Sequence, residues 1–186
     1  MVIIRSRRLV LRELKEADVH TVNEYSSDLE VVRFMDWGPN TKEDDLVFIQ
    51  RAIASRRQRP RADYTLAIVL QKEDCLIGSC AIHVSNLKNR DGWIGYCLNR
   101  CCWDRGYATE AARALLKFGF GQLRLHRIFA TCDPANVASA HVLEKAGMKR
   151  EGHLREFKCV RGEWKDSLVY AMLEQEWNSR DRRKAN

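Results

Sequence analysis

Long apolar runs are missing from this chain. No stretch approaches the roughly 20 residues a membrane-spanning helix needs. The opening Met1-Val2-Ile3-Ile4-Arg5 lacks the apolar region and cleavage site of a signal peptide, so a cytoplasmic location and no membrane partner are expected. Proline occurs only three times, and no Pro-rich or Gly/Ser-rich linker divides the 186 residues. One domain over residues 1–175 is expected, with residues 176–186 as a frayed basic tail. The Cys-x-x-Cys pattern is absent although there are seven cysteines, an odd number, so reduced thiols are expected, with neither disulfides nor a metal. Two familiar phosphate loops are absent as well. Nothing fits the glycine-bracketed Lys-Ser/Thr loop, and the three-glycine dinucleotide fingerprint is reduced to Gly106. No nucleic-acid-binding signature occurs, and the arginines at 51, 56, 57, 59 and 61 are not interleaved with aromatics. Direct nucleic-acid binding is therefore not expected. The formal charge of +7 favours anionic partners (phosphates, acidic substrates or nucleic acid), and the arginine cluster reads as a solvated face.

What the chain does contain is a regular alternation of elements. Arg8–Arg12 reads as a strand, and Glu16–Tyr25 carries Val19, Val22 and Tyr25 at helical spacing. Thr41 and Asp44 form a capping-box pattern ahead of a helix running toward Arg57, where Pro60 stops it. Tyr64–Leu70, Cys75–Val84 and Gly92–Leu98 are β-rich and read as antiparallel neighbours. A helix from Thr109, a strand over Arg127–Cys132 and a helix from Asn136 follow, the last stopped by Gly147. Two strands then flank the turn at Val160-Arg161-Gly162-Glu163. The fold class is α+β, a sheet with helices on its faces.

The stretch Cys101-Cys102-Trp103-Asp104-Arg105-Gly106-Tyr107-Ala108-Thr109-Glu110-Ala111 joins a strand to a helix. Arg105 supplies a fixed positive charge, and Gly106 and Ala108 let the backbone approach a bulky anion. The helix that starts here points unpaired N–H groups and its positive dipole end at the loop. Such a corner can cradle a pyrophosphate, although an ordinary strand-to-helix connection with a glycine reads the same way. Thirty residues on, Asn136 can cap a helix or offer its amide to a ligand, and Ser139 lies one turn later.

Taken together, Ile94-Gly95-Tyr96 through Glu110-Ala111-Ala112, then Asn136-x-x-Ser139, Leu143-Glu144-Lys145-Ala146-Gly147-Met148 and Glu151-Gly152 resemble the GNAT acetyltransferases. Within that family the chain is most similar to the RimJ/RimL branch of ribosomal-protein N-terminal acetyltransferases. Arg7-Arg8-Leu9-Val10-Leu11-Arg12 and the segment Gly162–Tyr170 share the likeness. The resemblance implies a GNAT fold: a mixed, mostly antiparallel sheet of about seven strands, splayed in the middle and flanked by about four helices. It implies acetyl-CoA as co-substrate and transfer of the acetyl group to an amine by direct attack in a ternary complex. Leu98 and Asn99 would pair their backbone with the pantetheine arm. Arg105, Gly106, Tyr107, Ala108 and Thr109 would hold the pyrophosphate, and Asn136 the cofactor arm. Ser139 would be catalytic, as proton donor to the departing thiolate.

The implied partner is an amine substrate, a ribosomal or other protein N-terminus. Polyamines and aminoglycosides are the alternative acceptors, and a non-catalytic acyl-CoA-binding or ribosome-associated module is the alternative class. A homodimer stays open. The RimL-like glutamate base aligns here with Lys158, while Glu156, two residues before it, is expected on the same strand face. No histidine stands out as a base. Trp93 and Trp103 read as packing residues, and Trp37 either as a core anchor or as part of an acceptor channel.

Overall fold

Strand and helix signals alternate along the chain, and the computed structural model follows that order. It describes residues 2–185, with side chains to residue 179. The elements are β1 (Ile3–Arg5), β2 (Leu9–Glu13), α1 (Val19–Ser26), α2 (Leu29–Val32), α3 (Lys42–Ser55), β3 (Asp63–Leu70), β4 (Cys75–Asn86), β5 (Asp91–Leu98), α4 (Tyr107–Gly121), β6 (Arg127–Cys132), α5 (Val137–Ala146), β7 (Lys149–Val160), β8 (Glu163–Leu173) and α6 (Glu174–Ala185). Among the described residues one sheet forms, in the order β1-β2-β3-β4-β5-β6-β8-β7. Its pairs are antiparallel except for β5 with β6, which run parallel.

This is the mixed, mostly antiparallel α+β sheet expected, with one strand more than the seven anticipated. The extra strand, β1, is three residues long, too short to show a period. Of the helices not anticipated, α2 has only four residues and is capped by Asp28. The other, α6, occupies the place of the expected tail: its backbone is helical from Glu174 to Ala185, and Trp177 stacks on Phe120 with ring centroids 5.9 Å apart. The side chains of residues 180–186 lie outside the described residues.

Two cores cover the two sheet faces. Even-numbered residues of β5 (Ile94, Leu98) pack with α4 and α5, together with Leu115, Leu116, Ile128 and Leu143. Cys97, Ala67 and Val69 pack on the other face with Val22, Tyr25 and Ile49 of α1 and α3. This alternation puts successive β5 side chains on opposite sides of the sheet. The arginine cluster departs from a purely solvated face. Arg56 and Arg61 turn inward to the buried Glu13, at 3.0 and 2.8 Å, and Arg61 lies over the Tyr64 ring.

Helix starts are specified locally. Thr41 and Asp44 make the expected reciprocal cap on α3, and Asn136 caps α5 by accepting from the Ser139 amide at 3.0 Å. Gly147 ends α5 at a φ of 103°, in the left-handed region.

Candidate active site

The sheet is open at its centre. β5 and β6 pair only through Asp91–Trp93 and Arg127–Phe129, and beyond Trp93 the two strands have no ladder between them. The main-chain groups of β5 are turned toward this gap. Asn99 donates its N–H to Ile77 at 2.8 Å, which makes that pair hydrogen-bonded across β4 and β5. Alternation along an antiparallel ladder then aims the N–H and C=O of Leu98 and Tyr96 away from β4, toward the gap. The Leu98 carbonyl is taken by the Trp103 indole at 3.0 Å. Both main-chain groups of Asn99 are satisfied within the protein, its carbonyl by the Cys102 amide. Of the two residues expected to meet a ligand with their backbone, the Leu98 N–H is the group that remains free to do so.

A cavity of about 810 Å³ runs through the opening. Its walls include Ile94 and Tyr96 from one sheet face and Trp93, Gly95 and Cys97 from the other, so it passes from the α4/α5 side to the α1/α3 side. A ligand threaded here can present a reactive end on the far face. Among the described residues no histidine lines the cavity. His83, His126 and His153 instead sit against the carboxylates Asp63, Glu174 and Asp166.

At the near end stands the start of α4. Gly106 precedes it at a φ of 75°, where glycine is least strained. No side chain caps this helix, in contrast to α3 and α5. The amides of Tyr107, Ala108 and Thr109 belong to the first turn, where no intrahelical acceptor exists. Arg105 is exposed beside them. A Cβ placed on Gly106 would meet nothing closer than the Arg8 guanidinium, at 3.6 Å. The surroundings therefore fit a bulky anion: open space, orphan amides and two arginines.

Arg8 was not singled out for this corner from the sequence. It arrives from β2, stacks 4.4 Å over the Tyr107 ring and donates to the Arg105 carbonyl at 2.9 Å. Its Nε and main-chain N–H both bind Glu110, at 2.7 and 2.6 Å, and Ser6 adds a third bond at 2.8 Å. Burial raises the Glu110 pKa, but these bonds outweigh it and hold the carboxyl below the usual range. Glu110 is thus a brace between β2 and α4. Glu110→Gln is expected to cost about 1–2 kcal/mol at neutral pH. A carboxylate with a depressed pKa stabilises above its unfolded pKa of 4.5, and that contribution is lost as pH falls below it. The gap in unfolding midpoint between variant and wild type should therefore narrow in acid. A gap constant with pH would contradict the ionic brace.

Across the opening, Asn136 uses its carbonyl oxygen for the α5 cap, and its amide N–H₂ has no protein acceptor among the described residues. Ser139 Oγ lies 3.0 Å from the Tyr96 hydroxyl, which also reaches the Ser139 carbonyl at 3.2 Å. Burial pushes the Tyr96 pKa up, with Ser139 acting the other way, so the phenol stays protonated near neutrality. The single phenol proton goes either to the Ser139 carbonyl or to its Oγ, and in the second case the serine proton is left to point elsewhere. In the sequence Tyr96 stands out only as part of the Ile94-Gly95-Tyr96 motif. Nothing in a strand pattern separates it from a core tyrosine. Cys97 and Cys132 also line the cavity, and burial pushes their thiols up to about 12 and about 11.

The far face corrects the reading of β7. Leu154 pairs with Ser167 and Lys158 with Lys165, so residues 155–157 bulge opposite the single residue Asp166. Glu156 adopts a φ of 49° within the bulge, and strand alternation is broken between it and Lys158. The expectation that the two share a face therefore fails. Lys158 binds Asp36 at 3.1 Å. Arg161, at the β7–β8 turn, donates to the Trp37 and Gly38 carbonyls at 3.1 and 2.9 Å. The hairpin is thereby tied to the loop that carries Trp37, and Trp37 itself lines the cavity. A second cleft of about 320 Å³ beneath this hairpin shares Phe34, Met35, Thr131, Cys132 and Asp133 with the main cavity. Trp93 and Trp103 are 38% and 40% exposed rather than packed away. Trp93 stacks on His83, and Trp103 fastens Leu98.

Known proteins match this architecture. Residues 8–149 match the family model of the acetyltransferase (GNAT) domain. The uncharacterized N-acetyltransferase YnaD of Bacillus subtilis (strain 168) is 37% identical over 177 residues, 94% of this chain and 99% of that one. The crystal structure of a GNAT-family acetyltransferase from Bacillus anthracis superposes with a TM-score of 0.83 at 35% identity, covering 94% of this chain and all of the other (100%). The [ribosomal protein uS5]-alanine N-acetyltransferase of Escherichia coli (strain K12) is 26% identical over 85 residues, 46% of this chain and 44% of that one.

Proposed function

The chain belongs to the GNAT acetyltransferase family and is an acetyl-CoA-dependent N-acetyltransferase, and from that premise we propose that its acceptor is the α-amine of a protein N-terminus. The observation that carries this reading is the continuity of the two cavities. The through-sheet opening leads into the cleft beneath the β7–β8 hairpin, which suits an extended chain entering amine first. The partial likeness to an enzyme that acetylates a ribosomal-protein alanine supports the same class.

Acetyl-CoA supplies the acetyl group as an activated thioester. In this reading the amides of Gly106, Tyr107, Ala108 and Thr109, with Arg105 and Arg8, hold its diphosphate. The Asn136 amide and the backbone of Leu98 and Asn99 are assigned to the pantetheine arm, with the Leu98 N–H as the group free to donate. That same N–H stabilises negative charge developing on the acetyl oxygen. Ser139 Oγ gives its proton to the departing sulfur, oriented by Tyr96. Burial raises the Cys97 and Cys132 thiols above the usual range, which supports direct passage of the acetyl group to the amine. A peptide α-amine, with a reference pKa near 8, is neutral often enough to attack without a strong base. That agrees with Lys158 standing where the resemblance to RimL-like members implies a glutamate base.

Polyamines would need free carboxylates in the chamber. Of the three carboxylates lining the main cavity, Asp45 is bonded by Asn23, Ser26 and Asn40, Asp44 by Thr41, and Asp133 by the Ala135 amide at 2.8 Å. Acetyl-CoA should be consumed with peptides bearing a free N-terminus, and not with the same peptides N-blocked or with spermidine, as read by thiol release. Faster turnover of spermidine than of every peptide would overturn the proposal.

A further inference from the structure

The adjacent cysteines Cys101 and Cys102 take no part in the reaction described above, yet they stand between its cofactor contacts. They complete the turn Arg100–Cys102, which leads from Leu98 and Asn99 to Arg105 and Gly106. Asn99 holds both cysteines by their main chain. Its side chain accepts the Cys101 N–H at 3.2 Å, and its carbonyl accepts the Cys102 N–H at 2.9 Å. Trp103, the next residue, fastens the Leu98 carbonyl. The two sulfurs lie 3.6 Å apart. Cys101 is exposed and Cys102 buried, and Cys75, at the start of β4, is exposed and close enough to act on Cys102. Burial pushes the Cys102 thiol up to about 11, Cys101 adds to this, and Arg105 opposes it. The exposed Cys101 is the sulfur that an outside reagent meets first.

On the cofactor reading above, we infer that Cys101 and Cys102 are a thiol-modification site, at which a small disulfide oxidises the pair to a reversible link that shuts out acetyl-CoA. The Cys101 thiolate attacks one sulfur of the reagent, forming a mixed disulfide and expelling one thiol. The Cys102 thiolate then attacks the Cys101 sulfur, expelling the second thiol and closing the link. Two cysteine thiols are oxidised, one disulfide is reduced to two thiols, and the cysteine protons end on the thiols expelled. Proximity favours closure, since the sulfurs need only move from 3.6 Å to about 2.05 Å. The backbone resists it. Neighbouring Cα atoms are about 3.8 Å apart, below the roughly 4.4 Å at which ordinary disulfide spacing begins. The joining peptide must twist, and the two Asn99 bonds that define the turn cannot both survive. Trp103 and Arg105 are displaced with it, so Leu98 and the start of α4 lose their relative placement. Strain of this kind also makes the link easy to reduce, and hence reversible.

Oxidised glutathione is the probe. Incubation with it should join Cys101 to Cys102, seen by peptide mapping as the loss of two hydrogens from the peptide that carries both. Acetyl-CoA affinity, measured by calorimetric titration, should fall about tenfold or more. Dithiothreitol should restore both the thiols and the affinity. Saturating acetyl-CoA should in turn lower the linked fraction reached in a fixed glutathione buffer, because the coupling is reciprocal. Cys101→Ser, a conservative change at an exposed position, should bind acetyl-CoA as the reduced wild type does and keep that affinity in oxidised glutathione. A link from Cys101 to Cys75, or a mixed disulfide that never closes, overturns the pairing. A Cys101–Cys102 link with unchanged affinity overturns the coupling to the cofactor. Reduced protein with no affinity for acetyl-CoA overturns the cofactor reading and the coupling with it, whether or not the link forms.

Discussion

Gly106→Asn is expected to weaken acetyl-CoA binding about tenfold or more, while the unfolding midpoint stays within a few degrees of wild type. The separation of the two effects is the point of the variant. Gly106 holds a φ of 75°, which asparagine tolerates far better than other side chains. Its new amide would project among the first-turn N–H groups and compete with a diphosphate for them. Space for the side chain exists, since only the Arg8 guanidinium lies within 4 Å of a Cβ there. Valine at the same place is less informative. A β-branched residue at positive φ is strained, so stability and binding would fall together. Calorimetric titration with acetyl-CoA beside thermal unfolding gives both readouts. Unaltered affinity would remove the diphosphate from the start of α4.

Ser139→Ala should lower kcat by about a hundredfold with a much smaller change in acetyl-CoA affinity, the range expected when a positioned proton donor is removed. Tyr96→Phe should fall between wild type and Ser139→Ala, because it leaves the serine in place and removes only its 3.0 Å partner. The double variant should be little worse than Ser139→Ala alone, since the two hydroxyls act as one unit. Single-turnover measurements separate the chemical step from product release. Full turnover by Ser139→Ala would mean that solvent protonates the leaving thiolate.

Much of this site was legible from local sequence. The α4 start could be read from Arg105-Gly106-Tyr107-Ala108 because the chemistry of a helix N-terminus is written in adjacent residues. Asn136 was legible as the cap of α5, which it makes with its carbonyl, and its amide has no protein acceptor among the described residues. Contacts made across the fold were not. Arg8 and Glu110 are 102 positions apart and meet only because β2 and α4 are neighbours. The error at Glu156 has a definite cause. Face assignment along a strand assumes a period of two, and a bulge of residues 155–157 against Asp166 breaks it with no glycine or proline there to announce it. The central gap is likewise invisible in the strands that form it. β5 and β6 both carry sound strand patterns, and nothing in either says that their ladder stops after Trp93.

A structure of the complex with coenzyme A tests the account most directly. Its diphosphate should rest on the amides of residues 106–109, with Arg8 and Arg105 alongside. The arm should cross between β5 and β6, and the sulfur should lie beside Ser139. A coenzyme bound away from α4, with the gap between the two strands closed, would contradict it.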